Sequence, residues 1–171
     1  RGPYIAGQTK AGTGNFAGLA KLWSRHRGFY LIPACKHPTQ GGLTGGQFEM
    51  FANFSNRSQT VSTTIDFANN TASASNSVSN LTFTLTDLDS PNNGGYQDQI
   101  TILAYDINGN LLPVTLTAAD SSVVSVTGST ATAIVGGGSS SSGNVNASSG
   151  EGNLQVSVTG DVAQLVIVYG N

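Results

Sequence analysis

The stretch that decides the fold is QITILAYDINGNLLPVTLT, residues 99–117, in which two runs rich in Ile, Leu, Val and Thr flank the dipeptide Asn108-Gly109. Residues of these types are enriched in β-strands. Asn-Gly between two such runs favours a two-residue type I′ turn, because both central positions of that turn need a positive φ. The stretch therefore predicts a β-hairpin formed by strands 99–106 and 111–117.

Further predicted strands lie on both sides of this hairpin. Three upstream segments alternate apolar and polar residues with period two, which indicates strands with one buried face. Such sheets must bury that face against a partner sheet, so we predict an all-β fold, an antiparallel β-sandwich of jelly-roll or immunoglobulin-like type. The alternating segments are 47–54, 60–67 and 80–86, and the remaining strands are 122–127, 131–135, 153–158 and 163–169.

The chain divides into two predicted parts. Residues 46–171 hold these nine strands and form the sandwich domain, whereas residues 1–45 have too few apolar residues for a core of their own. We expect residues 1–45 to be an N-terminal arm of mixed structure, with a short helix over 15–24 and a strand over 29–33. The low-complexity segment GGGSSSSGNVNASSGEG, residues 136–152, is predicted to be a flexible hairpin tip.

Composition favours a location outside the cell. Only 9% of the 171 residues are charged, against about 25% in an average soluble protein, and such uncharged polar surfaces are common in secreted and cell-surface β proteins. The opening Arg1-Gly2-Pro3 is that expected of a processed chain. No apolar run approaches the roughly 18 residues of a membrane-spanning helix, so no membrane span is predicted.

Charge is distributed unevenly along the chain. All seven Lys and Arg residues lie in residues 1–57 beside one acid, Glu49, so this part carries 7 − 1 = +6, while residues 58–171 carry eight acids and −8. The basic arm is therefore expected to lie against an acidic sandwich of its own chain or of a neighbour. Nucleic acid is not an expected partner, because the acidic part would repel phosphate and the basic residues are scattered.

The sequence DLDSPNNGGYQDQ, residues 87–99, gathers three of the acids. Clustered carboxylates repel one another unless a cation lies between them, and calcium takes six to eight oxygen ligands of the kinds present here. We predict a Ca²⁺ site formed by Asp87, Asp89, Asn92 and Asp98. Two alternatives stay open: a solvated acidic turn, in which Asp87 caps the loop and Asp98 starts the next strand, and acid–base catalysis by paired carboxylates.

Other catalytic patterns are missing from the sequence. There is no G-x-S-x-G stretch and no phosphate-binding loop with its lysine. Cys35 has no base motif beside it, and His26 and His37 are expected to be surface residues. We therefore predict that the chain is not an enzyme and has no catalytic residue.

Two stretches, LTFTLTDLDSPNNGGYQDQITILAYDINGNLLPVTLT (81–117) and GNLQVSVTGDVAQLVIVYGN (152–171), give the chain a resemblance to known proteins. Residues 53–171 resemble the β-sandwich modules of secreted bacterial surface proteins, which include calcium-dependent adhesins. In those modules D-[IL]-D leads through a loop to a D-[EQRK]-[VI]-x-[VI] strand and then to a Y-D-x-x-G-N hairpin. The resemblance implies that Asp87, Asp89 and Asp98 are metal ligands or brace the loop, and it implies no catalytic residue.

Two functions fit these expectations. The first is an extracellular structural protein, a self-assembling filament or surface-layer subunit with a calcium-stabilised loop, in which the N-terminal arm joins a neighbouring copy. The second is an adhesin or carbohydrate-binding module that holds a glycan or surface partner through calcium and aromatic side chains such as Tyr96. Only Tyr96 and Tyr105 lie close to the acidic stretch, and sugar platforms usually use several aromatics, so assembly is favoured.

Overall fold

The computed structural model describes residues 4–6, 41–43, 47–49, 54, 56–67 and 76–171, and for residues 4–6 and 47–49 it describes the backbone. Within these ranges every regular element is a β-strand. No helix in the described part of the chain is long and apolar enough to cross a membrane. The strands are β1 (Tyr4–Ala6), β2 (Gln47–Glu49), β3 (Thr60–Asp66), β4 (Val78–Ser79), β5 (Thr82–Thr86), β6 (Gln99–Tyr105), β7 (Val114–Ala118), β8 (Val124–Thr127), β9 (Thr130–Ala133), β10 (Leu154–Val158), β11 (Asp161–Val162) and β12 (Gln164–Gly170).

The strands form two five-stranded sheets and one small ribbon. The first sheet has the order β2-β1-β5-β10-β7, the second has the order β3-β12-β6-β9-β8, and β11 pairs with β4. Every pairing is antiparallel. The structure thus confirms the predicted all-β class and the antiparallel sandwich.

Buried and exposed residues alternate along the strands, and the buried faces of the two sheets form the core. In β5 of the first sheet Phe83 and Leu85 are buried, and in β6 of the second sheet Ile100, Ile102 and Ala104 are fully buried. These residues belong to one apolar cluster, whose removal from water is the main favourable contribution to folding. The period-two pattern of residues 80–86 therefore correctly predicted the inward face of β5.

The turn after β6 differs from the predicted type I′ hairpin. Gly109 has a φ of 80°, but Asn108 is not among the described residues with positive φ. Gly109 N–H donates to the Asp106 carbonyl (3.0 Å) and Asp106 N–H donates to the Asn110 carbonyl (2.9 Å), which closes a three-residue loop instead. Beyond this loop the chain crosses to the first sheet, where β7 pairs with β10. The predicted hairpin over 99–117 is thus confirmed only as the antiparallel bridge Tyr105↔Leu111 beside the turn, while its type I′ turn and its pairing along both full strands are wrong.

Residues 136–152, the glycine-serine segment, are not a hairpin tip. The segment connects β9 of the second sheet to β10 of the first, and backbone hydrogen bonds such as Gly138 N–H to the Gly143 carbonyl (2.9 Å) fold it on itself. A Cβ at Gly138 would stand 2.3 Å from the Asn144 backbone. Its glycines thus let backbone pack on backbone, and the predicted flexible loop is wrong because composition alone does not register such packing.

Part of the N-terminal arm lies in the first sheet. Strand β1 pairs with β5 through Tyr4↔Thr86, Ile5↔Leu85 and Ala6↔Thr84, and its other edge pairs with β2. The helix predicted over 15–24 and the strand predicted over 29–33 fall outside the described residues, as do Cys35, His26 and His37.

Candidate functional site

Residues 87–98, the acidic loop, carry the chain from β5 in the first sheet to β6 in the second. The three carboxyl groups of this loop are buried, since Asp87, Asp89 and Asp98 expose 8%, 8% and 1% of their surface. Asp87 has a φ of 67°, a left-handed conformation that aspartate tolerates better than most residues, and it turns the chain out of β5. The acidic turn is therefore buried rather than solvated, although Asp98 does lie directly before β6, as that alternative predicts.

Asp98 is the most enclosed of the three acids. Its Oδ1 accepts a hydrogen bond from the Tyr169 hydroxyl of β12 (2.7 Å), and its Oδ2 accepts one from the backbone N–H of Asp89 (3.2 Å). Asp98 N–H in turn donates to the Asp89 carbonyl (3.2 Å). These bonds close the two ends of the acidic loop on each other and fasten them to the last strand.

Asp89 fastens the acidic loop to a different part of the chain. Its Oδ1 accepts a hydrogen bond from the Tyr96 hydroxyl (2.8 Å), and its Oδ2 accepts one from the backbone N–H of Val145 (2.9 Å). Val145 belongs to the glycine-serine segment and is itself buried. One carboxyl group thus bridges the loop and a segment that lies far away in sequence.

Burial sets the protonation of these carboxyl groups. Loss of water raises the pKa of Asp98 to about 7, because the hydrogen bonds from Tyr169 and from the Asp89 backbone only partly offset it and the Asp89 and Asp87 charges add to it. Burial also raises the pKa of Asp89, against the bonds from Tyr96 and Val145. The pKa values of Tyr96 and Tyr169 are raised too, mainly by burial, so both hydroxyls stay protonated as donors.

Asn92 lies apart from the three acids in its exposure and its contacts. It is exposed at the tip of the loop, where its backbone N–H donates to the Ser142 carbonyl (2.8 Å) and its Nδ2 donates to the Ser141 carbonyl (3.1 Å). A Cβ at Gly143 would stand 2.4 Å from the Asn92 Oδ1. Asn92 therefore binds the glycine-serine segment, which needs glycine where the amide lies against it.

The hydrogen-bond donors to Asp98 and Asp89, the Tyr169 hydroxyl and the Val145 N–H, were not predicted from the sequence. Tyr169 and Val145 come from segments 71 and 56 residues away from the carboxyl groups they bond. For Tyr169 a signal does exist, because it continues the inward alternation of Leu165 and Ile167 in β12, and a buried tyrosine hydroxyl needs a partner. Val145 carries no comparable signal, since the bond is made by its backbone.

The fit of the predicted calcium site can be tested on these contacts. The acidic loop offers oxygen ligands, and the side-chain oxygen of Asn144, next to Val145, is buried with no hydrogen-bond partner. However, each oxygen of Asp89 and of Asp98 already accepts a hydrogen bond. Within the described ranges no three His, Cys, Asp or Glu side chains converge as a metal-binding group. Ca²⁺ at Asp87, Asp89, Asn92 and Asp98 stays a prediction from the sequence.

Fold and site together define a class: a β-sandwich in which buried carboxyl groups brace one end, tying the crossover loop, the glycine-serine segment and the last strand together. Comparisons of the chain with protein-family models, with curated proteins and with solved structures found no match.

Proposed function

We propose that the chain is a non-catalytic structural subunit that works outside the cell and assembles with further copies of itself through strand β1. The observation that carries the proposal is the position of β1, which lies between β2 and β5 although it comes from the start of the chain. A strand held on both edges contributes hydrogen bonds that can equally be made to the sheet of a neighbouring copy.

The length of chain behind β1 supports this exchange. Gly41 is held on the sandwich, since its N–H donates to the Ala147 carbonyl (2.8 Å) and its carbonyl accepts from the Asn153 Nδ2 (2.8 Å). Residues 7–40 separate β1 from this point, and at about 3.3 Å per residue such a segment could span up to about 110 Å. The end of the chain can therefore reach a second sandwich without disturbing the first. Because each copy would then give one strand and receive one at a different place, the contacts would be head-to-tail and would produce an open filament unless the rotation closes a ring.

Charge supports the same partner. Residues 1–57 carry +6 and residues 58–171 carry −8, so an arm that leaves its own sandwich meets attraction at the next one. The location outside the cell is supported by the low share of charged residues and by a sandwich whose loop end is braced internally by Asp89 and Asp98.

Light scattering on the purified chain tests the proposal. We expect assemblies larger than the monomer that grow with concentration, and fibres in electron micrographs. Ile5→Pro removes a backbone N–H from β1 and should yield folded monomer. The matched control is Ile107→Ser. Ile107 is 63% exposed on the turn after β6 and is an apolar side chain through which copies could associate without exchange of β1.

The two variants separate the possible outcomes. If Ile107→Ser abolishes assembly and Ile5→Pro does not, the contact is apolar adhesion at the turn and the proposal fails. It fails as well if the unaltered chain stays monomeric at every concentration.

A further inference from the structure

A polar groove lies on the outer side of the second sheet, near the end braced by the acidic loop. It encloses about 240 Å³, less than the roughly 300–1,000 Å³ of pockets for drug-sized ligands, so its occupant would be about one sugar ring in size. Its lining comes from the turn before β3, the end of the acidic loop, the start of β6, strand β9 and the residue that follows β12. The lining residues are Arg57, Gln97, Gln99, Thr132 and Asn171.

The amide groups of the groove are fixed by the protein. Gln97 Nε2 donates to the Ala133 carbonyl (2.8 Å), and the Gln97 backbone N–H donates to the Asn171 Oδ1 (2.7 Å). Gln99 Nε2 donates to the Thr132 Oγ1 (3.1 Å). These bonds leave the Gln side-chain oxygens as acceptors, and the Thr132 hydroxyl and Asn171 amide as donors. Such a fixed mixture of neutral donors and acceptors suits the hydroxyl groups of a sugar.

Arg57 adds a positive charge at the edge of the groove. It is the one Lys or Arg among the residues that the structure describes, and its Nη2 lies 3.3 Å from where a Cβ of Gly94 would stand. The turn that carries it is fixed, because the Asn56 Oδ1 accepts hydrogen bonds from the N–H (3.1 Å) and hydroxyl (2.7 Å) of Ser58. A guanidinium group presents a planar fork of donors that matches a carboxylate.

The nearby acids do not place their charge in the groove. Asp98 precedes Gln99 by one residue, but both of its oxygens bond inward, to Tyr169 and to the backbone of Asp89. The groove therefore combines a cationic edge with a neutral, hydroxyl-binding floor.

We propose that this groove binds one uronic-acid unit of a polysaccharide, with the sugar carboxylate on Arg57 and the ring hydroxyls on the amide and threonine groups. The groove shares Gln97 with the acidic loop, but it is separate from the buried carboxyl groups of that loop and does not require assembly through β1. Contact with a single sugar unit and without a stacking aromatic ring in the lining implies a dissociation constant in the millimolar range.

Saturation-transfer NMR on the full chain tests the site, since this method detects weak ligands even on large assemblies. The probes are glucuronate, glucose as the sugar without a carboxylate, and acetate as the carboxylate without a sugar. We expect a saturable signal from glucuronate, with glucose and acetate each binding at least about tenfold more weakly, as the loss of one charge-assisted or several neutral hydrogen bonds implies.

Three variants locate the binding. Arg57→Gln and Gln99→Ala should each weaken glucuronate binding, the first by about tenfold or more. The matched control is Gln155→Ala, because Gln155 is exposed on β10 of the other sheet and should leave binding unchanged.

Four results would overturn the proposal: no saturable glucuronate signal, equal binding of glucose, equal binding of acetate, or unchanged affinity in Arg57→Gln. Assembly measured on Arg57→Gln should match that of the unaltered chain, so a failure here is distinguishable from a failure of strand exchange.

Discussion

Asp98 shows how a single residue organises the loop end of the sandwich. Its carboxyl group is 1% exposed and is held by a tyrosine hydroxyl from the last strand and a backbone N–H from the start of the same loop. Removing a carboxylate from water is costly, and two donors offset only part of that cost. The group therefore favours its protonated form, which explains a pKa near 7.

This pKa predicts that the protein loses stability as the pH rises. A pKa raised from 3.8 to about 7 on folding means that the folded state binds the proton more tightly, so the contribution is full below about pH 4 and is lost as pH rises through about 7. Urea unfolding in chelator-containing buffer should give a free energy of unfolding lower at pH 8 than at pH 5, by at most about 3 kcal/mol, because about two pKa units of the shift are lost between pH 5 and pH 7.

Asp98→Asn should flatten this dependence, because an amide does not titrate. The matched control is Asp106→Asn: the pKa of Asp106 is lowered by its bonds to Asn110 and Asn108, so this exposed carboxylate stays ionised between pH 5 and 8. If the free energy of unfolding of Asp98→Asn still falls between pH 5 and 8, or if that of the unaltered chain rises with pH, the raised pKa of Asp98 is contradicted.

At this scale the sequence located the acids but not their partners. Asp87, Asp89 and Asp98 were predicted to act together, and Asp89 and Asp98 do bond to one another through the backbone. Residues that are neighbours in the chain can be read from local spacing. Tyr169 and Val145 reach the loop only through strand pairing and a crossover, which no local pattern encodes.

Among the elements, the glycine-serine segment departs furthest from expectation. It packs closely enough that a Cβ at Gly138 would meet backbone atoms of Asn144 at 2.3 Å. Gly138→Ala should therefore lower the melting temperature and remove the hydrogen-exchange protection of the Val145 N–H, which donates to Asp89.

Gly128→Ala provides the contrast for this prediction. Gly128 has a φ of +59° and nothing within 4 Å of its Cβ position, so alanine there meets only backbone strain of about 1 kcal/mol. If Gly138→Ala is no more destabilising than Gly128→Ala, or if Val145 is unprotected in the unaltered chain, the segment does not pack as described.

The acidic loop as an element carries the calcium prediction. A cation beside three buried carboxyl groups would offset the burial that raises the pKa of Asp89 and Asp98. Millimolar Ca²⁺ should raise the melting temperature over that in chelator, with a gain of about 2.7 kcal/mol at a hundredfold excess over the dissociation constant.

The calcium effect should vanish in Asp89→Asn and persist in Asp106→Asn, whose carboxylate lies at the opposite end of β6. Calorimetry that detects no heat of Ca²⁺ uptake, together with an unchanged melting temperature, would leave the loop as a hydrogen-bonded brace alone.

The strands β3 and β5 were predictable because alternation of apolar and polar residues reflects one buried face, and β6 was predictable from its content of Ile, Leu and Thr. Connections were harder. The turn after β6 follows from Asp106, whose carboxylate accepts N–H bonds from Asn108 and Asn110 (2.8 Å each) and selects a longer loop than Asn108-Gly109 alone suggests. The two-residue strands β4 and β11 are defined by their pairing with each other, and segments this short carry no alternation of apolar and polar residues from which to predict them.

For the whole molecule, the position of β1 matters most. The sandwich is complete only when a strand from the start of the chain fills the place between β2 and β5. The proposal that this strand comes from a second copy is supported by the charge contrast of +6 against −8 and by the length of segment 7–40. Sequence alone indicated an arm that docks on an acidic sandwich, but the edge it pairs with follows only from the register with β5.

Paired cysteines at this register test strand exchange most directly. In a Cys35→Ser background, Ala6→Cys and Thr84→Cys place thiols at directly opposed positions of β1 and β5, within the range of Cα separations that a disulfide spans. After mild oxidation, exchange between copies predicts a ladder of covalent dimers, trimers and higher species on a denaturing, non-reducing gel, which the Ala6→Cys variant alone does not give. A single monomer band closed by an internal disulfide would contradict assembly through β1.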